Sequence, residues 1–378
     1  MEWRLPLADV HLSEPVIAAS MEALRSNWLT MGPRTQDLER EFAARVGAEH
    51  AVAASSGSAA IHLAMLGIGI GPGDEVIVPA CGFVADAHAP FWCGGETVFA
   101  DVESVERPVI DPEAVAGLIT ERTKAVLAIH MFGYSCDMET LTAICAERDV
   151  LLIEDCCQAV GAELPGGKSV GTSSAAGCFS FFAKTQLPVG EGGIIVTDDE
   201  EVAARARLLR SHAMTSVTWD RHRGHAETYD ITDLGFNYRL DEPRAAMARA
   251  HLDALDEKLA RLRATVARYR ERLADLDGVT VPFTDEEVGR GGHFAFPVVV
   301  GDRVERDRIR ARLTERGIQT TFYPVITDLA VYERAGREHP CPHAVDFSAR
   351  HMAMPLATVM TPEDVDLAVG ELAAALQA

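Results

Sequence analysis

At 378 residues, 48% of them hydrophobic and 24% charged, the chain is large enough for a substantial core and is expected to form two domains in one unit. A formal charge of −22 excludes a nucleic-acid partner, whose phosphates require a basic surface. No apolar run approaches a membrane span, Met1-Glu2-Trp3-Arg4 leads into no signal-type core, and none of the eight cysteines forms a Cys-x-x-Cys pair. The cysteines read as reduced core residues, and a cytoplasmic location is expected.

A helical period runs from Pro15 to Asn27 and breaks at Trp28-Leu29-Thr30-Met31-Gly32-Pro33. A second helix follows, with Leu38, Phe42 and Val46 on one face. After a short strand at His50–Ala54, Ser55-Ser56-Gly57-Ser58 opens a helix to about Leu66. Its first N–H groups can hold a phosphate, and the same residues also make an ordinary N-cap. Gly67–Gly73 is glycine-rich but follows a helix and precedes a strand, the wrong order for a dinucleotide-binding turn.

Strands are then expected at Glu75–Pro79, Thr97–Asp101, Lys124–Ile129, Val150–Glu154, Gly177–Phe182 and Gly193–Asp198. Helices fit between them at Phe83–Trp92, Pro112–Ile119, Met138–Arg148 and Asp199–Ser211. This alternation predicts an α/β domain with a mostly parallel sheet, whose ligands collect at the carboxyl ends of the strands. Asp155 falls at such an end, where it could equally cap the next helix. The polar stretch His212–Tyr238 reads as a long functional loop. A long amphipathic helix, with interruptions, spans about Glu242–Leu276. Beyond it, strands near Val279–Pro282, Phe294–Val300 and Ile318–Phe322 and helices at Val304–Arg316 and Pro362–Leu376 outline a smaller α+β domain. The expected division is residues 1–245 and 246–378.

The stretch Gly177–Gly193 organises the reading. A short apolar strand ends in Ser180, and Lys184, Thr185 and the turn Gly190-Glu191-Gly192-Gly193 follow. Alone it could be a structural hairpin with a surface lysine. Together with Gly57-Ser58, Phe83, Asp155 and Gln158 it supplies what a phosphorylated pyridine cofactor requires. A helix start takes the phosphate, an aromatic covers the ring, a carboxylate pairs with the ring nitrogen, and a lysine forms the Schiff base.

These motifs, with His130-Met131-Phe132-Gly133, Glu154-Asp155, Phe179-Ser180-Phe181-Phe182, Leu234-Gly235-Phe236-Asn237-Tyr238-Arg239 and Met354-Pro355-Leu356, extend over nearly the whole chain. In them the sequence resembles the DegT-type sugar aminotransferases, which are fold-type I pyridoxal-phosphate enzymes. The resemblance implies a fold with a large α/β domain and a smaller C-terminal α+β domain. It implies pyridoxal or pyridoxamine 5′-phosphate as cofactor, held at its phosphate by Gly57, Ser58 and Ser180. Phe83 would stack on the ring, Asp155 would pair with the ring nitrogen, and Gln158 would lie near the ring oxygen. Asn237 would reach the partner's phosphate in a homodimer. The reaction implied is amino transfer from Glu or Gln to a keto-sugar or keto-cyclitol, in amino-sugar or antibiotic-type biosynthesis, with no metal.

The sequence departs from that pattern in places. The family's Schiff-base lysine lies five residues after the serine, where this chain has Thr185, and Lys184 comes one place early. Asp86 replaces a small hydroxyl residue, Ala175 an Asp and Ala213 a Gly, and Thr327 lies near an expected His. Lys184 is the candidate Schiff-base residue. The alternatives are an enzyme that works without that lysine, such as a deoxysugar dehydratase, and a non-catalytic partner of an active homologue.

Overall fold

A computed structural model describes every residue except 1, 2, 9, 217, 218, 220, 221, 225–227 and 378. The expected loop His212–Tyr238 therefore lies partly outside the described residues.

The chain begins with α1 (Glu14–Arg25) and α2 (Pro33–Val46), then β1 (His50–Ala54) and α3 (Gly57–Gly67). Next come β2 (Glu75–Pro79), α4 (Val84–Trp92), β3 (Glu96–Ala100), α5 (Pro112–Leu118) and β4 (Thr123–Ile129). They are followed by α6 (Met138–Glu147), β5 (Leu151–Asp155), β6 (Ala176–Ser180), β7 (Gly193–Thr197) and α7 (Glu200–Leu209). The seven strands form one sheet in the order β1-β7-β6-β5-β4-β2-β3. β3, β2, β4, β5 and β6 are parallel, and β7 runs antiparallel to both β6 and β1. This is the expected mostly parallel α/β sheet. β2 and β5 are buried along nearly their whole length, as strands covered by helices on both faces must be.

The carboxyl ends of β1, β4, β5 and β6 and the start of β7 all lie on the same side of the sheet. Ala54, Ile129, Asp155, Ser180 and Gly193 are therefore brought to one lip from five separate stretches of sequence.

The long amphipathic segment is two helices, α8 (Glu242–Asp253) and α9 (Leu255–Leu273), broken at Ala254. The remaining elements are α10 (Asp285–Gly289), β8 (Phe296–Val299), α11 (Arg303–Glu315), α12 (Glu333–Glu338), α13 (Pro342–Arg350), β9 (His351–Met354) and α14 (Pro362–Leu376). β8 and β9 pair antiparallel.

Three strand expectations need correction. The run Gly177–Phe182 ends at Ser180, and beyond it Phe182 makes only an isolated bridge to Gly190. The expected strand at Val279–Pro282 reduces to a single bridge, Thr280 to Val299, because Pro282 has no N–H to donate and Phe283 turns away at φ 65°. Ile318–Phe322 divides its pairing between Leu5 and Ala353, so no ladder forms. In their place β9 partners β8, a four-residue buried strand too short to show a period in the sequence.

One buried carboxylate ties the sheet edge together. Glu154 is fully buried and receives His130 Nε2 at 2.9 Å, the N–H of Gly171 at 2.7 Å, the N–H of Ser173 at 2.9 Å and the Ser174 hydroxyl at 2.9 Å. His130 Nδ1 accepts the N–H of Cys136 at 3.1 Å, which leaves the ring proton on Nε2, facing Glu154. Burial alone would push the Glu154 carboxyl up, but the donors from His130, Gly171 and Ser173 outweigh it and hold it below the usual range. A depressed carboxyl adds stability that is complete above its unfolded pKa and is lost as pH falls through the folded one. Acidification from neutral pH is therefore expected to lower the denaturation midpoint. Glu154→Ala, which strands those donors, should cost about 3–5 kcal/mol in denaturant unfolding and flatten that acid dependence.

Candidate active site

The phosphate end of the site begins where β1 passes into α3. Ser56 is the N-cap, its hydroxyl accepting the Ala59 N–H at 3.1 Å. The N–H groups of Gly57 and Ser58 lie in the first turn, where no i−4 carbonyl exists to accept them, so they face the lip as donors for an anion. Two glycines let the strands close on this turn. A Cβ at Gly193 would lie 2.4 Å from the Ser56 carbonyl oxygen, and one at Gly57 would lie 2.9 Å from Ser180 Cβ. Ser180, the last residue of β6, thereby stands against the helix start, its hydroxyl accepting the Phe182 N–H at 3.1 Å. Gly57, Ser58 and Ser180 are thus brought together.

Asp155 ends β5 and is buried, its carboxylate accepting the Cys157 N–H at 2.8 Å. Burial raises its pKa, opposed by that hydrogen bond. Gln158 follows on the next turn, and its Oε1 accepts the Phe132 N–H at 2.8 Å. The amide oxygen is thereby committed, and the amide N–H groups remain as donors. The His-Met-Phe-Gly motif serves this contact. Phe132 has φ 60° and Gly133 φ 93°, and a Cβ at Gly133 would lie 2.9 Å from the Gln158 carbonyl oxygen. Phe83 caps the start of α4 with its ring 60% exposed, an aromatic face held at the surface with nothing covering it. A cradle of free N–H groups and hydroxyls, a buried carboxylate, an amide donor and an uncovered ring fit a phosphorylated pyridine.

Asn237 precedes Tyr238, whose carbonyl accepts the Ser55 N–H at 2.8 Å where β1 passes into α3. Asn237 is exposed and bridges to Ser211, on the loop that carries Ile231 and Leu234. Lys184 and Thr185 sit on the turn between Phe182 and Gly190, with the Thr185 N–H and hydroxyl both donating to the Phe182 carbonyl at 2.9 Å. The strand has already ended there, so a one-residue offset does not by itself reverse the direction of a side chain. Lys184 is exposed and, among the described residues, has no carboxylate partner. It and Thr185 line a cavity with His11, Lys258, His293 and Phe294, and that cavity includes none of Gly57, Ser58, Phe83, Asp155, Gln158 or Ser180.

Gln186 carried no motif, yet its Nε2 donates to the Gln158 carbonyl at 2.9 Å and the Gly292 carbonyl at 2.7 Å, bracing the lysine turn against the site. Only its position two residues after Lys184 could have drawn attention to it. The eight cysteines are all free, and Cys157 and Cys178 belong to the wall behind Asp155.

Residues 11–373 match the DegT/DnrJ/EryC1/StrS aminotransferase family. The chain belongs to that family. It is 33% identical over 374 residues to the spore coat polysaccharide biosynthesis protein SpsC of Bacillus subtilis, covering 97% of this chain and 94% of the relative. It is 35% identical over 311 residues to the GDP-perosamine synthase of Caulobacter vibrioides, covering 81% of each. Among solved structures, the aminotransferase TlmJ of Streptoalloteichus hindustanus superposes with a TM-score of 0.90 at 31% identity, over 99% of both chains. Membership carries with it pyridoxal or pyridoxamine phosphate as the cofactor, in agreement with the set at the lip.

The close approach of Gly193 to Ser56 generates a prediction. Gly193→Ala should displace the start of α3, weakening pyridoxamine phosphate binding by about tenfold or more in a titration that follows cofactor absorbance, if the displaced N–H pair is worth the ~1.5–3 kcal/mol typical of hydrogen bonds to a charged group.

Proposed function

We propose that the protein transfers an amino group from glutamate or glutamine to the ketone of a sugar nucleotide or cyclitol, in amino-sugar or antibiotic-type biosynthesis. The observation that carries this reading is the joint presence, on one sheet edge, of the buried Asp155 carboxylate and the open N-terminus of α3 beside Ser180. The nucleotide-sugar preference rests on the GDP-perosamine synthase relative. When bound, the cofactor supplies an electron sink that acidifies the carbon bearing the amino group. Gly57, Ser58 and Ser180 anchor the phosphate. Asp155 stays anionic against the ring nitrogen and keeps it protonated, Phe83 covers one face, and Gln158 donates to the ring oxygen. Lys184 is the residue we assign to covalent capture of the cofactor and to moving the substrate proton.

We also infer a homodimer, with residues 1–245 holding the cofactor and 246–378 forming the smaller unit. Leu234 at 89% exposed and Ile231 at 56% leave apolar surface on the loop that carries Asn237, whose amide would complete the partner's phosphate site. The free cysteines accord with a reducing, cytoplasmic setting.

One observation favours a second reading. The position five residues after Ser180 is Thr185, which cannot form an imine, as would be so in an enzyme that dispenses with the lysine, such as a deoxysugar dehydratase. A non-catalytic partner subunit would share that feature.

Borohydride treatment of the loaded protein followed by peptide mass spectrometry should attach the cofactor mass to the peptide bearing Lys184, and Lys184→Ala should abolish amino transfer. Unlabelled peptide with retained cofactor binding would favour the lysine-free reading. Asp155→Ala is expected to lose cofactor affinity by about 10–100-fold, the scale of a charge-assisted hydrogen bond. Sedimentation should show a dimer, and Asn237→Ala should weaken cofactor binding without dissociating it.

A further inference from the structure

Asp86 is a buried carboxyl near this lip that the proposed reaction does not use and that, unlike Glu154, no set of donors satisfies. It lies in the first turn of α4, is fully buried, and neither of its oxygens meets a hydrogen-bond donor of the protein. Its surroundings are apolar on one side, where Gly82 and Ile129 close over it. A Cβ at Gly82 would lie 3.7 Å from Asp86 Oδ2. On the other side it faces the carboxyl of Asp155. Two carboxylates in contact repel and cannot hydrogen bond, whereas a carboxylic acid and a carboxylate can, through one shared proton. The other titratable groups around the pair offer no cation in contact with Asp86. Cys157 and Cys178 are thiols driven up by burial and by these same carboxyls, and His130 is committed to Glu154.

We propose that Asp86 carries a proton at neutral pH and donates it to Asp155, so that the pair holds a single negative charge and that charge rests on Asp155. Asp86 is then a positioning residue. Its O–H and the Cys157 N–H fix the Asp155 carboxylate from behind and leave an oxygen to face the ring nitrogen of the cofactor. Burial pushes both carboxyls up, and the nearby Asp155 drives Asp86 further, well above the usual carboxyl range, whereas at Asp155 the hydrogen bonds from Cys157 and Asp86 work against burial. With no donor of its own, Asp86 is the member of the pair that keeps the proton. The inference rests on the cofactor reading for its functional consequence but not for the proton itself.

The test has two arms. In the cofactor-free protein, infrared difference spectra between the unchanged protein and Asp86→Asn should contain a carboxylic-acid carbonyl band at neutral pH. Its absence overturns the proposal. In the second arm, pyridoxamine phosphate affinity is measured against pH by absorbance titration for the unchanged protein, Asp86→Asn and Asp86→Leu. The Asn amide still donates to Asp155, so the acid limb of that profile should stay in place, with affinity within about threefold. The Leu side chain removes the donor, raises the Asp155 pKa and should move the acid limb to higher pH, with a loss of about tenfold or more at neutral pH. If the charge sat on Asp86 instead, both substitutions would remove a negative neighbour and move the limb to lower pH, which would overturn the assignment. An unmoved limb in both variants, whatever their affinity, would reduce Asp86 to a packing residue and also overturn it. Failure of the unchanged protein to bind pyridoxamine phosphate would sink the cofactor reading alone, and the infrared band would still decide whether the buried pair holds a proton.

Discussion

The geometry of the lip depends on a charge buried beside it. Glu154 and Asp155 are consecutive on one strand, and their carboxyls serve opposite purposes because their neighbours differ. Glu154 faces four donors and is spent on structure, drawing His130 from the end of β4 and the 171–174 turn onto the end of β5. Asp155 has one protein N–H, from Cys157, and is left with capacity for something else. A buried carboxylate met by four donors is fully compensated in low dielectric, whereas one met by a single N–H keeps acceptor capacity for further donors. The second is a site because the first is a clamp.

The same logic explains how far the site extends. Gln158 is aimed by the Phe132 N–H, which the left-handed backbone at Phe132 and Gly133 presents to it. Gln186 then joins the carbonyls of Gln158 and Gly292, so the turn bearing Lys184 is coupled to the segment just before β8. A shift of either unit would be felt at the lip through that one amide.

A second buried carboxylate secures the N-terminal segment. Glu242, at the start of α8, accepts the N–H groups of Gly32, Arg34 and Thr35 and the Thr35 hydroxyl, at 2.9–3.0 Å. It caps α2 from 207–210 residues away in the chain, where a local Ser or Asp would ordinarily do so. The Trp-Leu-Thr-Met-Gly-Pro motif therefore marks a docking point as well as a break between helices.

Much of this was legible in the sequence. Alternating apolar runs and helical periods located the strands and helices of the seven-stranded sheet within a residue or two, because burial on both faces leaves an unbroken apolar signal. The glycines at 57 and 193 and the hydroxyls at 56, 58 and 180 showed where backbone must approach backbone. In the C-terminal third β8 was legible, but β9 and the single bridges were not, since β9 and the 318–322 segment take their conformation from partners distant in sequence. What the sequence determined by itself is the family, the sheet and the identity of the residues at its carboxyl edge. Tertiary structure alone decided which of those residues are already satisfied: Glu154 by four donors, Asp155 by one N–H and Asp86 by none, with the turn bearing Lys184 braced to Gln158 through Gln186. A residue's chemistry is written in its side chain, but whether that chemistry is free to act depends on the donors and the dielectric that the fold brings to it.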